Sequence, residues 1–387
     1  MNRTDFTLLG CGGGGGKVVD TIVNQDSKFM SYFINASKTD IESLDNSDDI
    51  AVNYTCIANQ RNGMGRDRNL GKRYVSKRGM NLLEVIDNFD TSVVYVVFTF
   101  GGGSGSAIAS ILLAGIQKLK DIENFDKTIN IIGILPSIDS STEVLKNSVE
   151  TWNEIMSYTC INNMIFIDNN NTVNGEYLEE QEINDRFAEM FDSIFDIPNV
   201  NGRNFDNGNL GRILNSEGCM YIYDLPDGCN NANLALKQAD TNSVLAKMYE
   251  SKESIDIDKD GNKKIKCGFI GTSFNNENYT HKDILAKYKS NKEDFEGYNE
   301  DSNLVLISGC LPPLVSIQVI QAELKDREKV EICNDKTDFK SFIVENDSEK
   351  ELNTNYKEIK EHKPVAQPQV KTKTKKKAMK KNIFDML

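Results

Sequence analysis

Three glycine-rich segments hold the residues of this chain whose types and spacing can do chemistry. One is Gly101-Gly102-Gly103-Ser104-Gly105-Ser106, inside a stretch with no charge between Asp90 and Lys118. Residues 93–100 before it are β-branched and aromatic, the pattern of a buried parallel strand. Ile108, Ile111, Leu112 and Ile116 after it recur at helical spacing. Strand, glycine turn and helix together aim backbone N–H groups and a helix N-terminus at an anion. Ser104 and Ser106 add hydroxyl donors. A membrane helix is the competing reading of so long an uncharged span, but four glycines and two serines in six positions argue against one continuous helix.

A second such unit opens the chain. A short apolar strand over 6–9 leads into the run Gly10 to Lys17, with Gly12, Gly13 and Gly14 at its centre, and a helix is expected from Val18. A third segment, Gly63-Met64-Gly65-Arg66, lies in a polar loop after a strand-like run at 51–58. All three loops would open on one sheet edge, and the anion that suits them is a nucleotide phosphate. Lys17 is followed by Val18, so the hydroxyl that a P-loop offers to magnesium is missing. Gly10, Gly12 and Gly15 fit a dinucleotide fingerprint, but the strand at 31–34 ends in Asn35-Ala36-Ser37 without the acid that would hold a ribose. A nucleotide-dependent oxidoreductase is therefore the alternative from another class.

The elements that position these loops alternate. Helices are expected at 72–89 and 143–158, strands at 128–135 and 163–167, and a long central helix over 176–197, with Pro198 as its stop. Beyond the polar stretch 199–209 come strands at 220–223, 264–274 and 303–307 and helices at 233–252, 281–289 and 315–328. The fold class is α/β, with a parallel sheet covered on both faces and ligand loops at the carboxyl ends of its strands. Asp256-x-Asp258-x-Asp260-Gly261 imitates a calcium loop, but Cys267 stands where a bidentate glutamate belongs, so it reads as a hairpin turn.

Composition narrows the chemistry. The chain has 387 residues, enough for two sizeable cores, and only two histidines, which removes most histidine-based catalysis and most zinc sites. Eight cysteines form no C-x-x-C pair and read as reduced, cytosolic core residues. No cleavable signal pattern interrupts this reading. The net charge of −13 is split: eight lysines against Asp385 give the segment from His362 onward about +7, and the rest about −20. Residues 345–382 read as disordered, and Ile383, Phe384, Met386 and Leu387 as a small apolar tip.

In this order the motifs resemble the tubulin/FtsZ GTPases over roughly residues 5–330. Gly101–Ser106 is similar to that family's phosphate loop, with Ser for both Thr and Ala107 for the last Gly. Gly12–Gly14 resemble its first loop, Asn35 and Ala36 fall at its second, and Gly63, Gly65 and Arg66 resemble its γ-phosphate-sensing loop. Pro136 and the stretch to Glu143 resemble the ribose loop. Asn169 falls at a base- or ribose-contacting position, and Asn184 at the position that reads the guanine edge. Asn204, Asp206 and Asn209 fall on the catalytic loop, where Asn209 replaces an acid; an amide cannot accept a proton, so Asp206 must activate the water. Glu180 stands at the aromatic position that stacks on the base.

The resemblance implies a GTP-binding domain over 1–175, a central helix over 176–197, a C-terminal α/β domain with the catalytic loop over 198–330, and a basic extension over 331–387. It implies GTP or GDP with Mg²⁺, no metal held by side chains alone, and head-to-tail filaments in which the next subunit completes the site. The lysine-rich tail is similar to the branch of the family that partitions plasmid and phage DNA, where it would engage a DNA-bound adaptor, reaching DNA indirectly and no membrane, in the cytoplasm. A filament for division or for positioning phage DNA is the alternative cargo.

Overall fold

The β-branched runs pair into one mixed sheet. A computed structural model describes residues 1–45, 54–60, 63–122, 125–197, 205–259, 261–275, 278–298 and 302–329. Met1–Arg327 form one compact unit; of a second, 328–381, only Glu328 and Lys329 are described. The first half runs β1 (Phe6–Cys11), α1 (Gly12–Gln25), β2 (Met30–Ser37), α2 (Lys38–Glu42), β3 (Tyr54–Gln60), α3 (Arg68–Ser76), α4 (Gly79–Asp87), β4 (Val93–Thr99), α5 (Ser104–Ile122), β5 (Thr128–Leu135), α6 (Thr142–Ile155) and β6 (Ile161–Asp168). The rest is β7 (Thr172–Val173), β8 (Glu176–Tyr177), α7 (Glu180–Ser193), α8 (Asn207–Leu214), β9 (Gly218–Asp224), α9 (Ala232–Thr241), β10 (Ile255–Ile257), β11 (Lys263–Ser273), α10 (His281–Lys287), β12 (Tyr288–Gly297), β13 (Leu304–Cys310) and α11 (Leu314–Lys329).

The strand order is β3-β2-β1-β4-β5-β6-β9-β13-β11-β10, with β12 on β11. Every pair from β3 to β9 is parallel. β4 is buried from Val93 to Phe98, because helices cover both faces of the sheet there. α5 is buried from Gly105 through Ile116, which accounts for the uncharged span. Among the described residues no helix is long and apolar enough to cross a membrane.

Several elements differ from the sequence expectation. The helix expected over 72–89 is two, broken at Lys77 and Arg78. The central helix is α7 alone, Glu180–Ser193, about 21 Å long at 1.5 Å per residue; Glu176 and Tyr177 instead pair with β7. α9 stops at Thr241 because the following residues pair with β6: Ala246 N donates to Phe166 O at 2.8 Å and Asp168 N to Val244 O at 3.0 Å. β10 and β11 form an antiparallel hairpin with Gly261 at φ +82 between them; Asp260 lies outside the described residues. β12, with its charged sequence, carries little apolar signal.

The polar stretch after α7 ends in a helix rather than a loop. Asp206 is the N-cap of α8, its Oδ1 accepting from Asn209 N at 2.8 Å. Three side chains fix the far end of α8. Tyr95 Oη and Asn130 Nδ2 donate to Leu214 O at 3.3 and 3.2 Å, and Asn163 Nδ2 donates to Ser216 O at 3.1 Å. Each is the third residue of its strand, in β4, β5 and β6. α8 is therefore tied to the amino-terminal edge of the sheet.

Asn130 is fully buried, and its Oδ1 also accepts from Asn163 N at 3.0 Å. Asn130→Ala takes the acceptor from the buried Asn163 N and leaves Leu214 O with Tyr95 Oη alone. Urea unfolding should show a loss of about 2–3 kcal/mol, with any larger loss of structure reported by near-UV circular dichroism.

Candidate functional site: a glycine-lined cleft

The cleft lies at the other, carboxyl-terminal edge. It has a volume of about 500 Å³ and is lined by Gly13, Gly14, Lys17, Asp40, Ser43, Arg66, Thr99, Gly101, Gly102, Ile134, Pro136, Ser137, Ser140, Val144, Asn169 and Glu180. A larger cleft of about 660 Å³ beside α7, lined by Arg186, Glu189, Asp224 and others, has no such glycine backbone.

Beside it, two chain turns approach each other unusually closely. The helix α1 begins at Gly12, so the glycine run is helical and not a loop leading to a helix at Val18. A Cβ on Gly12, which sits at φ +71, would lie 2.5 Å from Gly105 N. A Cβ on Gly15 would lie 2.1 Å from Val97 O. Only hydrogen atoms allow α1 and α5 to begin this near one another. Two helix N-termini, with their unpaired N–H groups and positive dipole ends, thus converge beside the cleft. That is a receptor for phosphate, and the glycine cradle fits a nucleotide.

Of the expected residues, the structure brings Gly13, Gly14, Arg66, Gly101, Gly102, Pro136 and Asn169 onto the cleft. Gly12 and Asn35 line a small adjoining cavity. Asn35 is in β2, not in a loop after it; its Nδ2 donates to Asp40 Oδ2 at 3.3 Å and its Oδ1 accepts from Ser37 N at 3.2 Å. Ala36 is buried in the same strand, off the cleft. Gly103, Ser104, Gly105 and Ser106 are not on the cleft wall, and the buried Ser106 hydroxyl donates to Gly102 O instead of facing outward. Gly63 and Gly65, at φ +64 and +56, shape the turn that presents Arg66.

Arg66 is itself at φ +66, a strained conformation for a residue with a side chain. Asn147 Nδ2 holds it there, donating to Arg66 O at 3.0 Å and to Gly101 O at 3.3 Å. The guanidinium reaches Ser141 Oγ at 3.1 Å. The next turn is anchored by Arg68, which is 2% exposed and bonds Ser110 Oγ at 2.8 Å and Glu154. Burial opposes ionisation of Glu154, but hydrogen bonds from Arg68 and Lys72 outweigh it and hold the carboxyl below its usual range.

Glu143 is exposed in the first turn of α6, and Ser137, Ser140 and Val144 stand on the cleft in its place. Asn184 is buried one turn into α7, off the cleft, whereas Glu180 is on it. A carboxylate there accepts from N–H groups, such as those on a guanine edge, but cannot stack. Asp206 and Asn209 are at the opposite edge, on α8. Asn204 lies outside the described residues. Lys17, Asp40, Ser43 and Thr99 are cleft residues the motifs did not mark; their one signal is adjacency to a strand end or glycine turn. Among the described residues no group of three or more His, Cys, Asp or Glu is placed to hold a metal. A magnesium ion would take its ligands from phosphate oxygens and water.

Residues 6–175 match the model of the tubulin/FtsZ family, GTPase domain. This part of the chain is a tubulin/FtsZ-family GTPase domain. The chain is 25% identical over 382 residues to a tubulin-like protein TubZ of Clostridium botulinum C phage, covering 92% of this chain and 97% of that one. The solved, tail-truncated TubZ of Clostridium botulinum phage c-st superposes with a TM-score of 0.71 at 23% identity, over 85% of this chain and 99% of that one. A GTPγS-bound protofilament of CetZ2 from Haloferax volcanii gives a TM-score of 0.61 at 18% identity, over 85% and 100%. The tubulin/FtsZ fold expected from the motifs is the fold observed; nothing in it supports the oxidoreductase alternative.

Gly13 and Gly15 separate binding from folding. A Cβ on Gly13 meets nothing nearer than Asp40 Oδ2 at 3.7 Å. Gly13→Val should leave the melting temperature within a few degrees but abolish binding of a fluorescent GTP analogue. Gly15→Ala should instead lower the yield of folded protein.

Proposed function

We propose that this chain is a filament-forming GTPase whose active centre is completed by a second copy stacked head to tail. The observation that carries this is that the cleft and the Asp206-capped helix lie at opposite edges of one sheet. The cleft takes its residues from the carboxyl ends of β4, β5 and β6, and Asp206 caps a helix tied to the amino ends of the same strands. β1 alone spans about 17 Å between those edges at about 3.3 Å per residue. Asp206 cannot reach a phosphate in its own cleft; it can reach one in a neighbour's. The CetZ2 relative solved as a GTPγS-bound protofilament supports such stacking.

In this reading the N–H groups at the starts of α1 and α5 bind the phosphates, and Lys17 and Arg66 offset their charge. Asn169 and Glu180 face the nucleoside. Pro136, Ser137 and Ser140 form the ribose side. Asp206 uses one carboxylate oxygen to cap α8 and turns the other toward the attacking water, which the closing interface isolates from solvent. Asn209, an amide, contributes polarity and its own backbone to the cap but no base. Magnesium on the phosphates adds charge neutralisation during transfer.

The cargo is DNA: a plasmid or phage replicon moved by the filament through an adaptor that binds the lysine-rich segment 371–381, which lies outside the described residues. The relation to a phage TubZ favours this over a division filament.

Asp206→Asn tests the catalytic half. GTP affinity should stay within about twofold, while turnover in assembled filaments falls about a hundredfold or more. Unchanged turnover removes Asp206 from the reaction.

A further inference from the structure

The ribose-side wall of the cleft is gripped from a part of the chain far away in sequence. Arg327, in the last turn of α11, donates through Nη1 to Ser140 O and through Nη2 to Ile138 O, each at 2.5 Å. Its Nε donates to Glu323 Oε1 at 2.7 Å, one helical turn back, so the plane of the guanidinium is fixed before it meets the loop. Ser140 itself lines the cleft, as do Pro136 and Ser137.

The other side of the same loop is held by Asn170. Its Nδ2 donates to Pro136 O at 2.9 Å and its Oδ1 accepts from Ile138 N at 2.6 Å. Asp168, 4% exposed, fixes that amide in turn, accepting from Asn170 Nδ2 at 2.7 Å. Residues 136–140 are thus clamped between β6 and α11. Without Arg327, two carbonyls lose a charged donor and the loop keeps only one jaw. α11 is seated independently by the buried Ile317, Ile320 and Leu324, so the helix does not need Arg327 to stay in place.

We propose that Arg327 is a positioning residue for nucleotide binding, which makes the C-terminal helix a working part of the GTP site. This rests on the reading of the 136–140 loop as the ribose side of that site. Arg327 touches no nucleotide; it acts by holding two carbonyls, and through them the Pro136–Ser140 wall. Lysine can supply one charged donor but not the fork.

The test measures binding of fluorescent GDP and GTP analogues to the full chain as wild type, Arg327→Gln and Arg327→Lys. Gln should weaken both nucleotides about tenfold, and Lys about threefold, with the melting temperature of nucleotide-free protein little changed. Amide exchange in 136–141 should slow on GTP addition in the wild type and much less in Arg327→Gln. Wild-type affinity in Arg327→Gln would overturn the proposal. If that variant misfolds, Glu323→Gln, which leaves the fork but frees its plane, should weaken binding about twofold; unchanged affinity there would likewise overturn it. Failure of wild-type protein to bind GTP would instead sink the underlying reading, and Gly13→Val supplies the non-binding reference.

Discussion

The structure depends on one steric permission: two helices are allowed to begin almost in contact. Gly12 and Gly105 meet backbone to backbone, and Gly15 lies against the carbonyl of Val97 in the central strand. Glycine within a helix costs about 1 kcal/mol relative to alanine, and α1 contains five in succession. That cost is offset by what the closeness creates, a pair of N-termini whose free N–H groups and dipoles converge where a polyanion binds. Selection for packing alone would favour alanine wherever there is room, as there is at Gly13; in the proposed reading it is the nucleotide that needs this position bare.

The second constraint is the sheet itself. Parallel strands place all their carboxyl ends on one edge and all their amino ends on the other. The cleft grows from the first edge, and α8 is fastened to the second by Tyr95, Asn130 and Asn163. The rigid strands act as a spacer of fixed length between the cleft and α8, the two parts of the proposed shared centre. A heterologous contact that joins such opposite edges builds an open filament unless its rotation closes a ring. The same sheet continues through β9 into the C-terminal strands, so α8 and the cleft belong to one hydrogen-bonded framework.

Much of this was legible in the sequence, because its signals are local. The runs at 93–100 and 128–135 are apolar and β-branched as buried strands are, and the glycine turns at 10 and 101 directly follow such runs. What escaped was set by tertiary pairing. α9 ends early because residues 244–246 are drawn to β6, and the central helix starts later than the expected 176 because 176–177 join a small hairpin. Asn184 was marked from its motif position, yet the turn of α7 that faces the cleft is the one bearing Glu180. The Asp206 side chain reads as loop chemistry until its bond to Asn209 N shows a helix cap. Arg327 gave no signal, since its partners are main-chain carbonyls 187 and 189 residues away.

If two copies share each active centre, hydrolysis must depend on how many copies meet. The most direct measurement is GTP turnover per protomer across a wide range of protein concentration, from well below to well above the onset of light scattering. A shared site gives a rate near zero in dilute solution that climbs sharply where filaments appear. A per-protomer rate that is the same in dilute, unassembled protein as in filaments would contradict the account.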